Sequence, residues 1–235
     1  MNDILSILRD NPYPGRGILV GCSSDGKQIL TFYFIMGRSE NSRNRIFEKT
    51  DDGIKTKAFD PDKLTDPTLV IYNPVRVLNN HLIITNGDQT DTIYEFLSKG
   101  SDFRSALLTR TFEPDPPNYT PRISCLVEPI GAYHLSILKT IDGSENGCLR
   151  NFFEYSNPTP GLGHFISTYN TDGDPLPSFS GEPIPVIIDN NNGLKYLADR
   201  IWESLNMENK VSLYARETDI STGMSNDIII NKHTY

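Results

Sequence analysis

Continuous apolar runs dominate the first third of the chain. The stretches "GILVGC" (17–22) and "ILTFYFIM" (29–36) are each long enough for a buried strand. Between them stands Asp25-Gly26, a pair typical of tight hairpin turns. The pattern predicts an antiparallel hairpin here.

Further strands are predicted on both sides of a more helical middle section. Before it lie "TLVIYN" (68–73), "VRVL" (75–78) and "HLIITN" (81–86), with Asn79-Asn80 as a turn. After it lie "ISCLVEP" (123–129), "AYHLSILKT" (132–140), "RNFFEYS" (150–156), "HFISTYN" (164–170), "VIID" (186–189), "KVSLYARE" (210–217) and "NDIIIN" (226–231). Residues 48–67 are charged and rich in Pro and Asp, which predicts mostly loop or edge structure.

Four segments show helical spacing of their apolar residues. A short helix is predicted within residues 2–10, with Asn2 as its N-cap. A second runs from a cap near Thr90 to a stop at Gly100, and a third follows within residues 101–112. An amphipathic helix is predicted at about residues 193–206.

The order of elements is strands, two helices, strands, one helix, strands. Long strands with segregated helices indicate an α+β fold rather than βαβ winding. Two stacked, mainly antiparallel sheets flanked by helices would cover every apolar face. We expect a single domain over residues 1–235, with residues 1–13 as a short N-terminal helical extension.

Composition narrows the class of protein. The 235 residues carry a formal net charge of −8, which argues against a nucleic-acid partner but allows one small anion in a local basic pocket. Three cysteines without a C-x-x-C pair indicate neither a zinc site nor a disulfide framework, and favour a reducing, cytoplasmic location. We see no signal peptide and no apolar run of roughly 20 residues, so no membrane span is expected.

A basic cluster, "GRSENSRNR" (37–45), follows the second predicted strand. If "RNR" continues as a strand, Arg43 and Arg45 share one face. With Ser39 and Ser42 nearby, the two guanidiniums could hold a phosphate through charge-assisted, bidentate bonds. The alternative is a solvated surface arm that pairs with acidic residues.

Three other stretches carry candidate chemistry. Tyr72 and Asn73 end a predicted strand, where a tyrosine either packs or serves a site. "NGDQTDT" (86–92) stands before a helix and could bind an anion, although Asp88 and Asp91 also suit capping. "FEPDPPNYTPRI" (112–123) is stiffened by prolines and places a carboxylate near an arginine, which suits either catalysis or an internal salt bridge.

Other motifs point to no site. The glycine clusters match neither the dinucleotide nor the Walker pattern, and the four histidines lack metal-ligand spacing. Cys22 would act as an N-terminal nucleophile only after removal of the preceding 21 residues.

Taken in order, "GRGILVG", "GRSENSRNR", "IYNPVRV", "TNGDQTDTI", "YTPRIS" and "FISTYN" resemble the archaeal-type inosine monophosphate (IMP) cyclohydrolases. The similarity covers roughly residues 14–180. It implies a four-layer αββα sandwich resembling the N-terminal-nucleophile hydrolase fold, without the N-terminal nucleophile.

The resemblance also implies the activity. 5-Formamidoimidazole-4-carboxamide ribonucleotide (FAICAR) would close to IMP with loss of water, the last step of de novo purine synthesis. No cofactor and no metal are implied, and the partners would be the nucleotide substrate and further copies of the chain in a homo-oligomer.

Site residues follow from the same resemblance. The catalytic set would be Glu113 as proton acceptor, with Arg45 and Tyr72 as donors to the formyl oxygen. The candidate substrate-binding set is Arg16, Arg38, Arg43, Asn73, Asn86, Gln89, Thr90, Asp91, Thr92 and Arg122.

One position departs from the family pattern, because the archaeal form carries a histidine where this chain has Gln89. Glutamine hydrogen-bonds but cannot shuttle protons. Two alternatives therefore stay open: a purine-nucleotide-binding protein with altered catalysis on the same fold, and an N-terminal-nucleophile-type amide hydrolase.

Overall fold

The computed structural model describes residues 1–234, which form two antiparallel sheets with helices on their outer faces. The strands are Arg16–Cys22 (β1), Gln28–Met36 (β2), Arg45–Thr50 (β3), Gly53–Ala58 (β4), Val75–Leu78 (β5), His81–Thr85 (β6), Arg122–Val127 (β7), Tyr133–Ile141 (β8), Ser144–Tyr155 (β9), Leu162–Ser167 (β10), Ile184–Ile187 (β11), Lys210–Asp219 (β12) and Ser225–Asn231 (β13). The helices are Ile4–Asp10 (α1), Glu40–Arg43 (α2), Gln89–Ser98 (α3), Phe103–Leu108 (α4) and Gly193–Ser204 (α5), with a 3-10 turn at Pro61–Lys63.

The sheets have six and seven strands. The first follows the order β11-β10-β1-β2-β12-β13, and the second follows β3-β4-β5-β6-β7-β8-β9. Neighbouring strands pair antiparallel throughout both sheets. The expected α+β sandwich is therefore confirmed.

Three hydrophobic clusters show how the layers stack. One lies between the sheets and includes Ile84. Another joins α1 and α5 to the outer face of the first sheet through residues such as Phe32 and Leu194. The third joins α3 and α4 to the outer face of the second sheet, with Leu107 against Leu126. Each such buried side chain contributes about 1.5–3 kcal/mol.

Strand β2 shows why its sequence is continuously apolar. Leu30 and Phe32 contact the outer helical cluster, whereas Ile29, Tyr33 and Ile35 face the space between the sheets. Both faces of β2 are covered, so a polar residue fits neither side without a partner.

Several local predictions are confirmed. The Asn79-Asn80 turn joins β5 to β6 with both residues at positive φ, the left-handed conformation that asparagine tolerates. Gly100 follows α3 with a φ of 77°. The edge position of β3 agrees with the expectation for residues 48–67, although β4 lies inside the sheet.

Other local predictions are wrong. Residues 68–73 form turns rather than a strand, because the Tyr72 backbone bonds to Thr56 instead of to a continuous ladder. Asp3, not Asn2, caps α1 by accepting from the Leu5 and Ser6 amides. "RNR" does not continue one strand: Arg43 ends α2 and β3 begins two residues later, so Arg43 and Arg45 do not share a strand face.

No helix within residues 1–234 is long and apolar enough to cross a membrane. The three cysteines carry free thiols, and Cys22 and Cys125 are buried. Burial also raises the pKa of the Cys22 thiol, which makes it a poor nucleophile.

Candidate active site

Polar side chains gather at one end of the space between the sheets. Arg16 begins β1 and Arg45 begins β3, and each lies on the strand face whose next members, Ile18 and Phe47, enter the core between the sheets. Both guanidiniums are buried. Two buried cations at one end of an otherwise apolar interior require anionic or polar partners.

Glu113 supplies the anionic group from the loop between α4 and β7. Its Oε2 lies 4.0 Å from the Arg16 guanidinium, and its Oε1 accepts a hydrogen bond of 3.3 Å from Asn86 Nδ2. Burial raises the pKa of Glu113 to about 7, against the pull of Arg16 and Arg122. The carboxyl group is therefore divided between its two protonation states at neutral pH.

The Glu113 backbone is fixed by Thr120 across the rigid loop. The Glu113 amide donates to the Thr120 carbonyl at 2.9 Å. The Thr120 hydroxyl lies 2.6 Å from the Tyr169 hydroxyl and also contacts Asp115. These contacts fix the backbone that carries the carboxylate, which helps to position a reacting group.

Arg45 keeps one donor nitrogen without a partner. Its Nε donates to the Ser42 carbonyl at 2.7 Å, and a second nitrogen lies 3.4 Å from the Met36 carbonyl. Its Nη1 is buried and has no hydrogen-bond partner among the described residues, and the same holds for Arg16 Nε. An unsatisfied buried donor costs about 1–3 kcal/mol, so both atoms suit an oxygen brought in by a ligand.

Tyr72 reaches this end of the sandwich from the turn segment between β4 and β5. The Thr56 hydroxyl and the Tyr72 amide lie 2.8 Å apart and fix the backbone. The Tyr72 hydroxyl lies 2.8 Å from that of Tyr33. Tyr72 and Arg45 interact electrostatically, which brings the predicted donors together.

The turn at residues 86–92 contributes a buried amide network. Gln89 Nε2 donates to Asn86 Oδ1 at 3.0 Å, and Arg122 donates to Gln89 Oε1 at 2.6 Å. Arg122 also pairs with Asp88 at 2.7 Å. Asp88 occupies the N-cap position of α3 without making a side-chain cap, because its carboxylate is engaged by arginines.

Of four other predicted binding residues, three are held by partners other than Glu113. Asp91 pairs with Arg76 at 3.1 Å, and Asn73 lies 3.4 Å from the same carboxylate. The Thr90 hydroxyl donates to the Gly87 carbonyl at 3.1 Å, and Thr92 is half-buried on α3. None of the four makes a hydrogen bond or an ion pair with Glu113 within the described part of the chain.

The remaining arginines of "GRSENSRNR" differ from Arg45. Arg38 is partly exposed and bonds to Asp172 at 2.9 Å and to the Gly173 carbonyl at 2.8 Å. Arg43 is held by the Gly37 carbonyl and Asn209. The expectation that Arg43 and Arg45 lie on one face is therefore wrong, because Arg43 donates hydrogen bonds to Gly37 and Asn209 instead.

A comparison with known protein families assigns the chain. The family described as "IMP cyclohydrolase-like protein" matches residues 13–223. The chain belongs to this family.

Archaeal relatives support the assignment. The protein named IMP cyclohydrolase from Methanopyrus kandleri is 31% identical over 196 residues, which cover 77% of this chain and 96% of the relative. The protein of that name from Methanosphaera stadtmanae is 27% identical over 67% of this chain and 73% of its own length. The one from Methanocaldococcus jannaschii is 25% identical over 75% of this chain and 84% of its own.

In this member of the IMP cyclohydrolase-like family, sequence reasoning missed three tyrosines. Tyr33 bonds to Tyr72, and Tyr13 stacks on Tyr169 at 5.9 Å between ring centroids. Tyr13 also lies under the Arg38 guanidinium. The available signal was weak: Tyr33 stands inside an apolar strand, where its hydroxyl must find a buried partner.

The assembled chemistry is specific. A buried carboxyl group can accept a proton near neutral pH, and two guanidiniums and a phenol can donate to an oxygen beside it. Among residues 1–234, no group of three or more His, Cys, Asp or Glu side chains is arranged to hold a metal ion.

Proposed function

We propose that this protein is an IMP cyclohydrolase that closes FAICAR to IMP. The family match and the names of the archaeal relatives support this assignment. The observation that carries the mechanism is the buried Glu113, whose pKa is raised to about 7 beside the unpartnered nitrogens of Arg16 and Arg45.

The reaction needs no oxidant or second substrate. The carboxamide nitrogen attacks the formyl carbon and forms a C–N bond, and the formyl C–O bond then breaks. One hydrogen from the carboxamide nitrogen and one from the formamide nitrogen leave with the oxygen as water. Because both groups belong to one molecule, the protein supplies orientation and charge stabilisation rather than proximity.

Glu113 acts as the proton acceptor in this proposal. An amide nitrogen is a weak nucleophile and must lose a proton as it attacks. A carboxylate with a pKa of about 7 takes that proton and can return one to the departing oxygen. Asn86 holds the carboxylate in place, and Thr120 holds the Glu113 backbone.

Arg45 and Tyr72 act on the formyl oxygen. Negative charge develops there as the ring closes, and Arg45 Nη1 is a buried donor with no protein partner among residues 1–234. The Tyr72 hydroxyl donates one proton to this oxygen and regains one when the formamide nitrogen loses its hydrogen, while Glu113 passes on the carboxamide proton. These roles are the ones the resemblance implies.

The rest of the substrate is assigned by position. Arg16, Asn86, Gln89 and Arg122 form the wall next to Glu113. We assign the phosphate to Arg38, which is partly exposed and can exchange Asp172 for a stronger anion. Gln89 bridges Asn86 and Arg122 by hydrogen bonds. A glutamine can fill this role in place of a histidine because no proton transfer is needed at this position.

The stacking of helices on both outer faces of two sheets supports a four-layer αββα fold like that of the N-terminal-nucleophile hydrolases. Use of Cys22 as a nucleophile is disfavoured, since its thiol is buried at the end of β1. The single domain, the homo-oligomer and the cytoplasmic location stay predictions.

Turnover and binding measured together test the assignment. Purified protein should convert FAICAR to IMP, seen as rising ultraviolet absorbance above the rate without protein. Calorimetry with IMP should show binding. Binding without turnover would instead support a nucleotide-binding protein with altered catalysis. If the protein showed no turnover and no binding, both functions would be refuted.

A further inference from the structure

Tyr33 and Tyr72 form a pair of hydroxyl groups inside the sandwich. Their oxygens lie 2.8 Å apart, and Tyr33 is completely buried in the middle of β2. The Tyr33 ring stacks on Phe47 at 5.7 Å between centroids, which fixes the direction of its hydroxyl. Tyr72 is the site residue to which Tyr33 hydrogen-bonds, and the charges of Arg16 and Arg45 also act on the Tyr33 hydroxyl.

The surroundings of Tyr33 disfavour the loss of its proton. Burial and the adjacent Tyr72 raise the pKa of Tyr33 well above its ordinary value of 10. Tyr33 thus stays protonated and can always donate. If Tyr72 gives its proton to the substrate, its oxygen can accept a hydrogen bond from the Tyr33 hydroxyl. The positive charge of Arg45 also acts on that oxygen.

We propose that Tyr33 is a positioning residue for the cyclisation, whose hydroxyl donates to the Tyr72 oxygen and directs the Tyr72 proton toward the formyl oxygen of the substrate. This role rests on the proposed function. Tyr33 does not touch the substrate; it acts by orienting Tyr72 before proton transfer and by stabilising the charged Tyr72 oxygen afterwards.

If the hydrogen bond between the two hydroxyls only stabilised the core, its removal would lower stability rather than turnover. The chain offers a matched comparison, because Tyr214 of β12 stands opposite Tyr33 in the sheet register. Tyr214 is also buried, and its hydroxyl donates to Asp227 at 2.8 Å instead of to a site residue. Tyr214→Phe therefore removes a buried hydroxyl without touching Tyr72.

The test compares kcat and KM of Tyr33→Phe, Tyr214→Phe, Tyr72→Phe and the Tyr33→Phe/Tyr72→Phe double variant, with melting curves for each. Tyr33→Phe should lower kcat about tenfold or more with KM nearly unchanged. In the Tyr72→Phe background the same change should cost almost nothing. Replacing Tyr33 with a fluorotyrosine, which keeps the hydroxyl, should retain turnover.

Three results would overturn the role of Tyr33. The first is a kcat for Tyr33→Phe equal to that of Tyr214→Phe. The second is a kcat loss in the Tyr33→Phe/Tyr72→Phe double variant equal to the product of the two single losses. The third is loss of turnover when fluorotyrosine replaces Tyr33. An unsubstituted protein that makes no IMP overturns the proposed function and this inference with it. Normal turnover by both the unsubstituted protein and Tyr33→Phe overturns the inference alone.

Discussion

The Glu113 carboxylate lies 4.0 Å from the Arg16 guanidinium, and both side chains are almost completely withdrawn from solvent. Although an adjacent cation lowers a carboxyl pKa, burial outweighs it here, and the pKa of Glu113 is raised to about 7. This balance gives the site a base that is usable, but not fully ionised, at neutral pH.

Turnover should therefore rise with pH through about 7. Only the ionised form of Glu113 accepts a proton, so kcat/KM should show an acid limb near that value. Replacing Arg16 with methionine removes a cation and should move the limb to higher pH. A pH–rate profile checks both, and an acid limb near 4.5 in the unsubstituted protein would contradict the assignment.

Stability should respond to pH at the same residue. The folded-state pKa is raised from 4.5 to about 7, so the folded protein holds this proton more tightly. Its contribution to the free energy of unfolding is fully present below 4.5 and is lost as pH rises through 7. The loss amounts to about 3 kcal/mol at 1.36 kcal/mol per pKa unit.

Glu113→Gln stays neutral at every pH and should escape that loss. Denaturant titrations at pH 5 and pH 8 should show its stability advantage over the unsubstituted protein growing by about 2.5 kcal/mol, because a small part of the loss has already occurred at pH 5. Glu95→Gln, at an exposed position on α3, is the control and should show no such growth. An advantage independent of pH would argue against a raised pKa.

The three arginines of "GRSENSRNR" should separate by kinetic effect. Loss of the Arg45 donor should lower kcat on the order of 100-fold, as for an oxyanion donor. Arg38→Ala should mainly raise KM, about tenfold, if Arg38 holds the phosphate. Arg43→Ala should mainly lower stability, since its partners are Gly37 and Asn209.

Asp172→Ala is the matched control for Arg38, because it removes the resting partner without removing the cation. KM should then stay the same or fall. Equal kcat losses for the Arg38 and Arg45 variants would mean that the two roles are not divided as proposed.

Gly87 should tolerate no side chain without a cost in binding. A Cβ there would lie 2.6 Å from an Arg122 nitrogen and 2.7 Å from Gln89 Oε1, closer than real contacts allow. Gly87→Ala should therefore displace both side chains and lower kcat/KM about tenfold, measured by steady-state kinetics. Ser98→Ala at the exposed end of α3 is the control and should have no effect on kcat/KM. An unchanged kcat/KM for Gly87→Ala would show that Gln89 and Arg122 do not contribute to the site.

Sequence patterns predicted the strands better than the site. The apolar run of β2 and the Asn79-Asn80 turn depend on local preferences, which the structure confirms. The strand predicted at residues 68–73 does not form, because the Tyr72 amide donates a hydrogen bond to the Thr56 hydroxyl. These two residues are 16 positions apart. Such tertiary hydrogen bonds leave no trace in local periodicity.

The burial of Arg45 also lay beyond local reasoning. An arginine within a charged run is usually solvated, yet Arg45 is fully buried because the carbonyls of Ser42 and Met36 meet it. The resemblance to the family supplied Glu113 and Tyr72, whereas Tyr33 was hidden in an apolar strand.

In the proposed reaction, Glu113 removes the carboxamide proton during ring closure. The most direct test is the rate of IMP formation from FAICAR by the unsubstituted protein and by Glu113→Gln, measured by chromatography at pH 8 with IMP affinity as the folding control. We predict rapid conversion by the former, a loss on the order of 100-fold or more in the latter, and similar IMP binding by both. Equal rates for the two proteins would rule out Glu113 as the proton acceptor.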